Sequence, residues 1–373
     1  MRELRNPKVL RALLADIRRK TPSSPSPLRI MEVCGTHTMA IHRFGLKAPL
    51  EEAGIRMISG PGCPVCITPN AVHDAAIGLV TREENMILAT FGDMTRVPAR
   101  RGSLQTAVPA RNSRIQIVYS PDQALEAARK EPRKEVVFFG AGFETTTPAI
   151  ALTVKKAHEE NIRNYSVLAA LWLIPPAIRA ILEAGEIALS GFLYPGHVSA
   201  IIGLDPYRFV PAEYGLPGAV AGFEPADILL GIRSVLEQLA GGTPGVSLEY
   251  SRAVASEGNA AARNLMREIL EPKDAVWRGL GLIRGSALQI KKKYAAFDAE
   301  TKHGLKIRGK DADVPGCRCG EVLRGLITPE DCRLFGRKCR PESPIGPCMV
   351  SMEGACLVHH KYAPKKGLAN EKN

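Results

Sequence analysis

The chain has 373 residues, 45% of them hydrophobic and 24% charged, with 9 cysteines and a formal net charge of +12. It is too long for a small disulfide scaffold and too apolar for a disordered chain, and at about 150 residues per domain it predicts two or three domains. From residue 291 onward 17 basic residues stand against 10 acidic ones, while only 5% of all residues are aromatic. The excess charge therefore reads as a solvated basic surface and not as a nucleic-acid site, which needs stacking platforms for single strands.

Residues 4–20 predict an amphipathic helix (Leu4, Val9, Leu10, Leu13, Leu14, Ile17), and the charges interleaved through it leave no apolar core for a secretory signal. The longest apolar run, Val167 to Ile174, stops at Pro175-Pro176, short of the ~18 residues that span a bilayer. A cytoplasmic protein with no membrane partner is expected. After the Pro/Ser stretch Thr21 to Pro27 one pattern recurs, a short apolar run followed by a Gly-rich polar loop and a helix-like segment. Leu28–Val33 precedes CGTHTM, Ile55–Ser59 precedes GPGCPVCITP, and Asn85–Thr90 precedes FGDMTRVP. Glu135–Phe139 precedes GAGFETTTP, Ser166–Leu173 a Pro-started helix, Leu189–Leu193 YPGHVSAIIG, and Val220–Ala221 GFEPADIL. Short strands alternating with helices imply parallel sheets covered on both faces, with the loops after the strands gathered at one edge, where ligands bind. The expected class is α/β, with domains at 1–125, 126–245 and 246–373. The last opens with a helix over Glu257–Leu270 and ends in a cysteine-rich tail too irregular to fold on apolar burial alone, so a metal centre is expected to hold it together.

The cysteines fall in two groups. Cys317, Cys319, Cys332, Cys339, Cys348 and Cys356 crowd the tail, and Cys34, Cys63 and Cys66 lie early. In a reducing compartment such clusters signal metal or redox chemistry. Four thiolates from loops suit an iron–sulfur cluster; zinc also accepts four, but the tail lacks the paired Cys-x-x-Cys knuckles usual for it. Six exceed the four a cubane uses, which leaves two for a disulfide or dithiol beside it. Cys63-Pro-Val-Cys66 has redox-type spacing. With Cys34 and His37 it also forms a formal Cys3His zinc set, and a transient iron site with one thiolate is a third possibility. His197 falls in a similar loop, as ligand, proton donor or structural hydrogen bonder. Asp93 and Glu144 stand at strand ends, where a carboxylate orients a ligand or caps a helix, and Thr145 to Thr147 suit capping. Nucleotide motifs are poor: Gly140-Ala-Gly142 follows a strand, but Thr145 replaces the third glycine of a dinucleotide fingerprint, and no Walker A motif exists.

Seven strings in order, CGTHTM (34–39), GPGCPVCITP (60–69), FGDMTRVP (91–98), GFETTTP (142–148), PGHVSAIIG (195–203), GFEPADIL (222–229) and the tail CRCGEVLRG…CMVSMEGAC (317–356), make the chain resemble the HypD family from about residue 28 to 362. The resemblance implies two α/β halves around a central cleft plus a C-terminal, mainly helical or irregular domain bearing a [4Fe-4S] cluster. It implies a redox-active scaffold for the Fe(CN)2CO unit of [NiFe] hydrogenases, shared with the small chaperone HypC and receiving cyanide from a thiocyanate on HypE. Carried onto this chain, Cys34 is the thiolate for the transient iron and Cys63 and Cys66 are the redox pair, with His37, Asp93, Glu144 and His197 lining the cleft. Cys319, Cys332, Cys339 and Cys356 are assigned to the cluster, and Cys317 and Cys348 to an adjacent thiol pair. A stand-alone iron–sulfur thiol-disulfide reductase and a zinc-stabilised interaction protein are the rival readings.

Overall fold

The computed structural model describes residues 3–108, 114–307 and 314–362. Eleven strands form among them: β1 (Leu28–Glu32), β2 (Ile55–Ser59), β3 (Met86–Thr90), β4 (Ile115–Ile117), β5 (Glu135–Gly142), β6 (Tyr165–Trp172), β7 (Gly191–Pro195), β8 (Gly218–Ala221), β9 (Val246–Leu248), β10 (Leu270–Trp277) and β11 (Gly281–Ile290). They build two sheets, one ordered β2-β1-β7-β8-β9 and the other β10-β11-β6-β5-β3-β4. The first is wholly parallel. The second is parallel from β4 through β6, with β11 antiparallel to β6 and β10 antiparallel to β11. The fold is α/β, as the strand–loop–helix recurrence implies. β5 and β6 are apolar and almost wholly buried, the mark of central strands covered on both faces.

The sheet division runs across the boundaries expected near 125 and 245. β1 and β2 pair with β7, β8 and β9, whereas β3 and β4 pair with β5 and β6. The segment after 245 supplies β9 to the first sheet and the β10–β11 hairpin to the second. The N-terminal helix runs Pro7–Lys20, not from residue 4, because Pro7 suits the first helical turn and the Asn6 side chain accepts the Lys8 N–H as cap. Its Ile17 is buried and it packs along the helix Pro225–Gly241. The helix expected at Glu257–Leu270 is shorter, Ala260–Ile269, capped by the Asn259 side chain on Ala262 N–H. Among the described residues no helix is long and apolar enough to cross a membrane.

Chain order within the sheets sets where the loops meet. In the first sheet the chain passes from β1 to β2 on one side, and the later strands β7 to β9 lie on the other. The crevice beyond the carboxyl ends of β1 and β7 is therefore a topological switch point, the place where parallel α/β sheets bind ligands. Cys34 stands two residues beyond the end of β1 and His197 two residues beyond the end of β7. In the second sheet β3 lies between β4 and β5, and the loops after β3 and β5 carry Asp93 and Glu144.

Candidate thiol site

Cys34 is the N-cap residue of the helix Gly35–Arg43 and is buried, with its Sγ 3.6 Å from His197 Nε2. The same nitrogen lies 3.2 Å from Thr36 Oγ1, and Nδ1 lies 3.5 Å from Thr145 Oγ1. Thr36 donates to Glu353 Oε1 at 2.6 Å, which brings the cysteine-rich tail into the site. Cys34, Gly62, Pro64, Phe143, Thr145, His197 and Glu353 line one open cavity of about 210 Å3. Residues from both sheets thus meet there, Cys34 and His197 from the first, Phe143 and Thr145 from the second.

Two glycines make this closeness possible. A Cβ on Gly62 would stand 2.2 Å from Cys34 N, and one on Gly35 would stand 2.4 Å from Glu353 Cβ. Gly62 carries the second cysteine loop onto the first, with Gly35 N–H donating to Gly62 O at 2.9 Å. Cys63 then caps the short helix Pro64–Ile67, accepting Cys66 N–H on its sulfur at 3.2 Å, and the two cysteines form a disulfide. That helix packs on the turn Pro347–Met349 of the tail.

The electrostatics are those of a neutral site. Burial, and then the nearby Glu353, pushes the Cys34 thiol well above the ordinary thiol range. Burial lowers His197 to about 4. At neutral pH the pair is therefore thiol and neutral imidazole, not thiolate and imidazolium. Behind it Glu32 accepts Cys34 N–H at 2.9 Å and the Thr38 hydroxyl, and burial pushes this carboxyl up to about 8.

The remaining expected residues are distributed around this centre. His37 is fully buried behind the cavity, its Nε2 2.9 Å from Gly222 O and its ring 4.9 Å from Phe223, which also stacks on His197. Burial lowers it to about 4. Asp93 does not line the cavity; its carboxylate accepts Met352 N–H at 3.1 Å and so fixes the segment that carries Glu353. Glu144 is buried outside the cavity lining, accepting Ile174 N–H at the start of the helix Ile174–Ala184, and burial pushes it up to about 8. The threonines depart from the capping expectation. Thr146 occupies the cap position of the helix Thr147–Glu159 without a side-chain cap bond, and Thr145 turns to His197 instead.

In the tail, all six cysteines line one small pocket, together with Val322, Leu334, Phe335 and Met349. Cys319 hydrogen-bonds Cys317 and Cys348, which pushes its thiol down; Cys348 also meets Cys356, and Cys319 drives it up. Cys339 Sγ accepts Ile345 N–H at 3.4 Å. Among the described residues no three His, Cys, Asp or Glu side chains converge as a single-ion site. Glu353 and Thr36 were not singled out in the sequence; both lie inside recognisable strings, but nothing local marks a glutamate 319 positions from Cys34 as its neighbour.

The geometry defines an α/β protein whose sheet edges converge on a buried cysteine–histidine pair, backed by a disulfide and a cysteine-lined pocket. The sequence model of the HypD family, described as "Hydrogenase formation hypA family", matches residues 8–363, and the chain belongs to that family. It is 44% identical over 368 residues to the hydrogenase maturation factor HypD of Rhodobacter capsulatus, covering 96% of this chain and 97% of that one. It is 39% identical over 372 residues to HypD of Escherichia coli K12, covering 98% and 99%. To the hydrogenase expression/formation protein HupD of Azotobacter chroococcum it is 43% identical over 349 residues, covering 92% and 91%.

Proposed function

We propose that this protein is a [NiFe]-hydrogenase maturation factor, a thiol-redox scaffold on which an iron ion, its cargo, acquires cyanide and carbonyl ligands in company with HypC and HypE. The observation that carries this reading is the Cys34–His197 contact at the switch point, one loop from the Cys63–Cys66 disulfide. A thiol held in a neutral, buried site is a poor nucleophile yet a good soft ligand once a cation displaces its proton. HypC's own cysteine is the second anchor in this reading. Cyanide release from a thiocyanate takes two electrons. With Cys63 and Cys66 reduced, R–S–C≡N plus the two thiols gives R–S–H, cyanide, the Cys63–Cys66 disulfide and one released proton.

The donor set of the tail fits a [4Fe-4S] cluster: six soft sulfur ligands face one pocket walled by apolar side chains. Cys319, Cys332, Cys339 and Cys356 would hold it, with Cys317 and Cys348 as the neighbouring thiol pair. Bound there, the cluster supplies single electrons for regenerating the dithiol. This chain's residues position that exchange, because the helix Pro64–Ile67 rests on the turn bearing Cys348. A free-standing disulfide reductase is the weaker reading, since Cys63 and Cys66 are only 3% and 0% exposed and a protein disulfide cannot reach them. Infrared spectroscopy of protein isolated anaerobically with HypC tests the proposal. Nitrile and carbonyl stretches are expected, and their absence from iron-loaded protein overturns it.

A further inference from the structure

Among the described residues Arg278 is the only fully buried lysine or arginine, 1% exposed at the tip of the β10–β11 hairpin. Its backbone N–H donates to Ile67 O at 2.9 Å, and its Nη2 donates to Thr68 O at 3.0 Å and Asn70 Oδ1 at 2.8 Å. It thereby clamps the chain as it leaves the Cys63–Cys66 turn. Trp172, which packs on Trp277 at 5.4 Å, secures the same point by donating to Thr68 Oγ1 at 3.1 Å. The other side of the hairpin tip touches the tail: a Cβ on Gly279, which has φ +79, would stand 2.4 Å from Gly320 Cα, next to Cys319. The hairpin is thus wedged between the two cysteine centres.

We infer that Arg278 is a positioning residue: its fork holds the Cys63–Cys66 turn closed. A buried arginine fork is pre-organised for that role. The inference rests on the redox-scaffold reading above, so the test separates the two.

The experiment uses full-length, anaerobically purified wild-type protein and the Arg278→Met and Arg278→Lys variants. Each is equilibrated with reduced and oxidised dithiothreitol, then alkylated and analysed by mass for Cys63 and Cys66. Reduction breaks the S–S bond and delivers two electrons and two protons to the cysteines, while the reagent becomes its cyclic disulfide. Opening the clamp lowers the effective concentration of one thiol at the other. Arg278→Met and Arg278→Lys are therefore both expected to reach half-reduction at a reduced-to-oxidised ratio at least threefold lower than wild type. An unchanged dithiothreitol ratio in Arg278→Met overturns the inference. If Arg278→Met fails to fold, an unchanged ratio in folded Arg278→Lys overturns the clamp. Protein carrying no iron and no labile sulfide overturns the metal-centre reading alone, and the dithiothreitol equilibrium then decides on Arg278.

Discussion

Gly35 and Glu353 stand so close that no side chain fits between them: a Cβ on the glycine would lie 2.4 Å from the glutamate's own Cβ and 2.5 Å from its carbonyl oxygen. The first residue after Cys34 and the tail are thereby pressed into one wall, on which Thr36 and Glu353 bond each other. Gly35→Ala must push the tail away, at a cost of about 1–3 kcal/mol for overpacking. A lower unfolding temperature is expected, together with several-fold faster labelling of Cys34 by iodoacetamide. Labelling at the wild-type rate refutes the description of Glu353 as part of the cavity wall.

Cys34→Ala removes the one free thiol in the cavity. Nitrile and carbonyl bands are expected to vanish from protein co-purified with HypC, while the tail's visible absorbance stays intact. The two spectra taken on the same sample check this, since joint loss reports general unfolding.

The buried ionisable groups shape the pH dependence of stability. His37 and His197 sit at about 4, and His42 and His73 at about 3, all lowered chiefly by burial. The unfolded chain binds these protons more readily below pH 6.5, so stability falls as pH drops from there toward 4. Glu32 and Glu144, raised to about 8 by burial, act in the opposite sense: the folded state keeps their protons, and stability falls as pH rises from about 4.5 through 8. Four groups on the acid side against two on the alkaline side predict a maximum near pH 6–7 with the steeper flank below it. Urea midpoints between pH 4.5 and 9 measure the curve, and Glu144→Gln is expected to flatten its alkaline side.

Asp93 holds the tail through Met352 N–H and does not line the cavity. Asp93→Asn retains an acceptor oxygen and is expected to leave Cys34 labelling within twofold of wild type, whereas Asp93→Ala frees the segment and speeds it. Equal rates in the two variants would show that the bond to Met352 does not hold the wall.

Much of this architecture is legible in the sequence because parallel strands are strongly apolar and their following loops are Gly- and Pro-rich. That pattern locates β1 to β3 and β5 to β8, though not the three-residue β4, and predicts that Cys34, Cys63 and His197 share an edge. The pairing of those strands is not legible. β7 follows β6 in the chain yet joins β1 in the other sheet, a choice made by long-range packing that leaves no local mark. The β10–β11 hairpin is hidden for a related reason: half-buried charged residues, Glu271 and Lys273, and an exposed Leu282 blur the alternation that would announce strands. Asp93 and Glu144 look like ligands from their place at strand ends. Only three-dimensional neighbours show that each carboxylate accepts a backbone N–H from a distant segment.

Cys348, in the tail pocket, and Glu353, in the wall of the Cys34 cavity, are joined by four intervening residues. So short a bridge makes the tail a strut rather than an appendage. Cutting the chain after the β10–β11 hairpin to obtain a simpler thiol protein would amputate part of the chamber it was meant to isolate, and any labour divided between the two sulfur centres is carried by one inseparable piece.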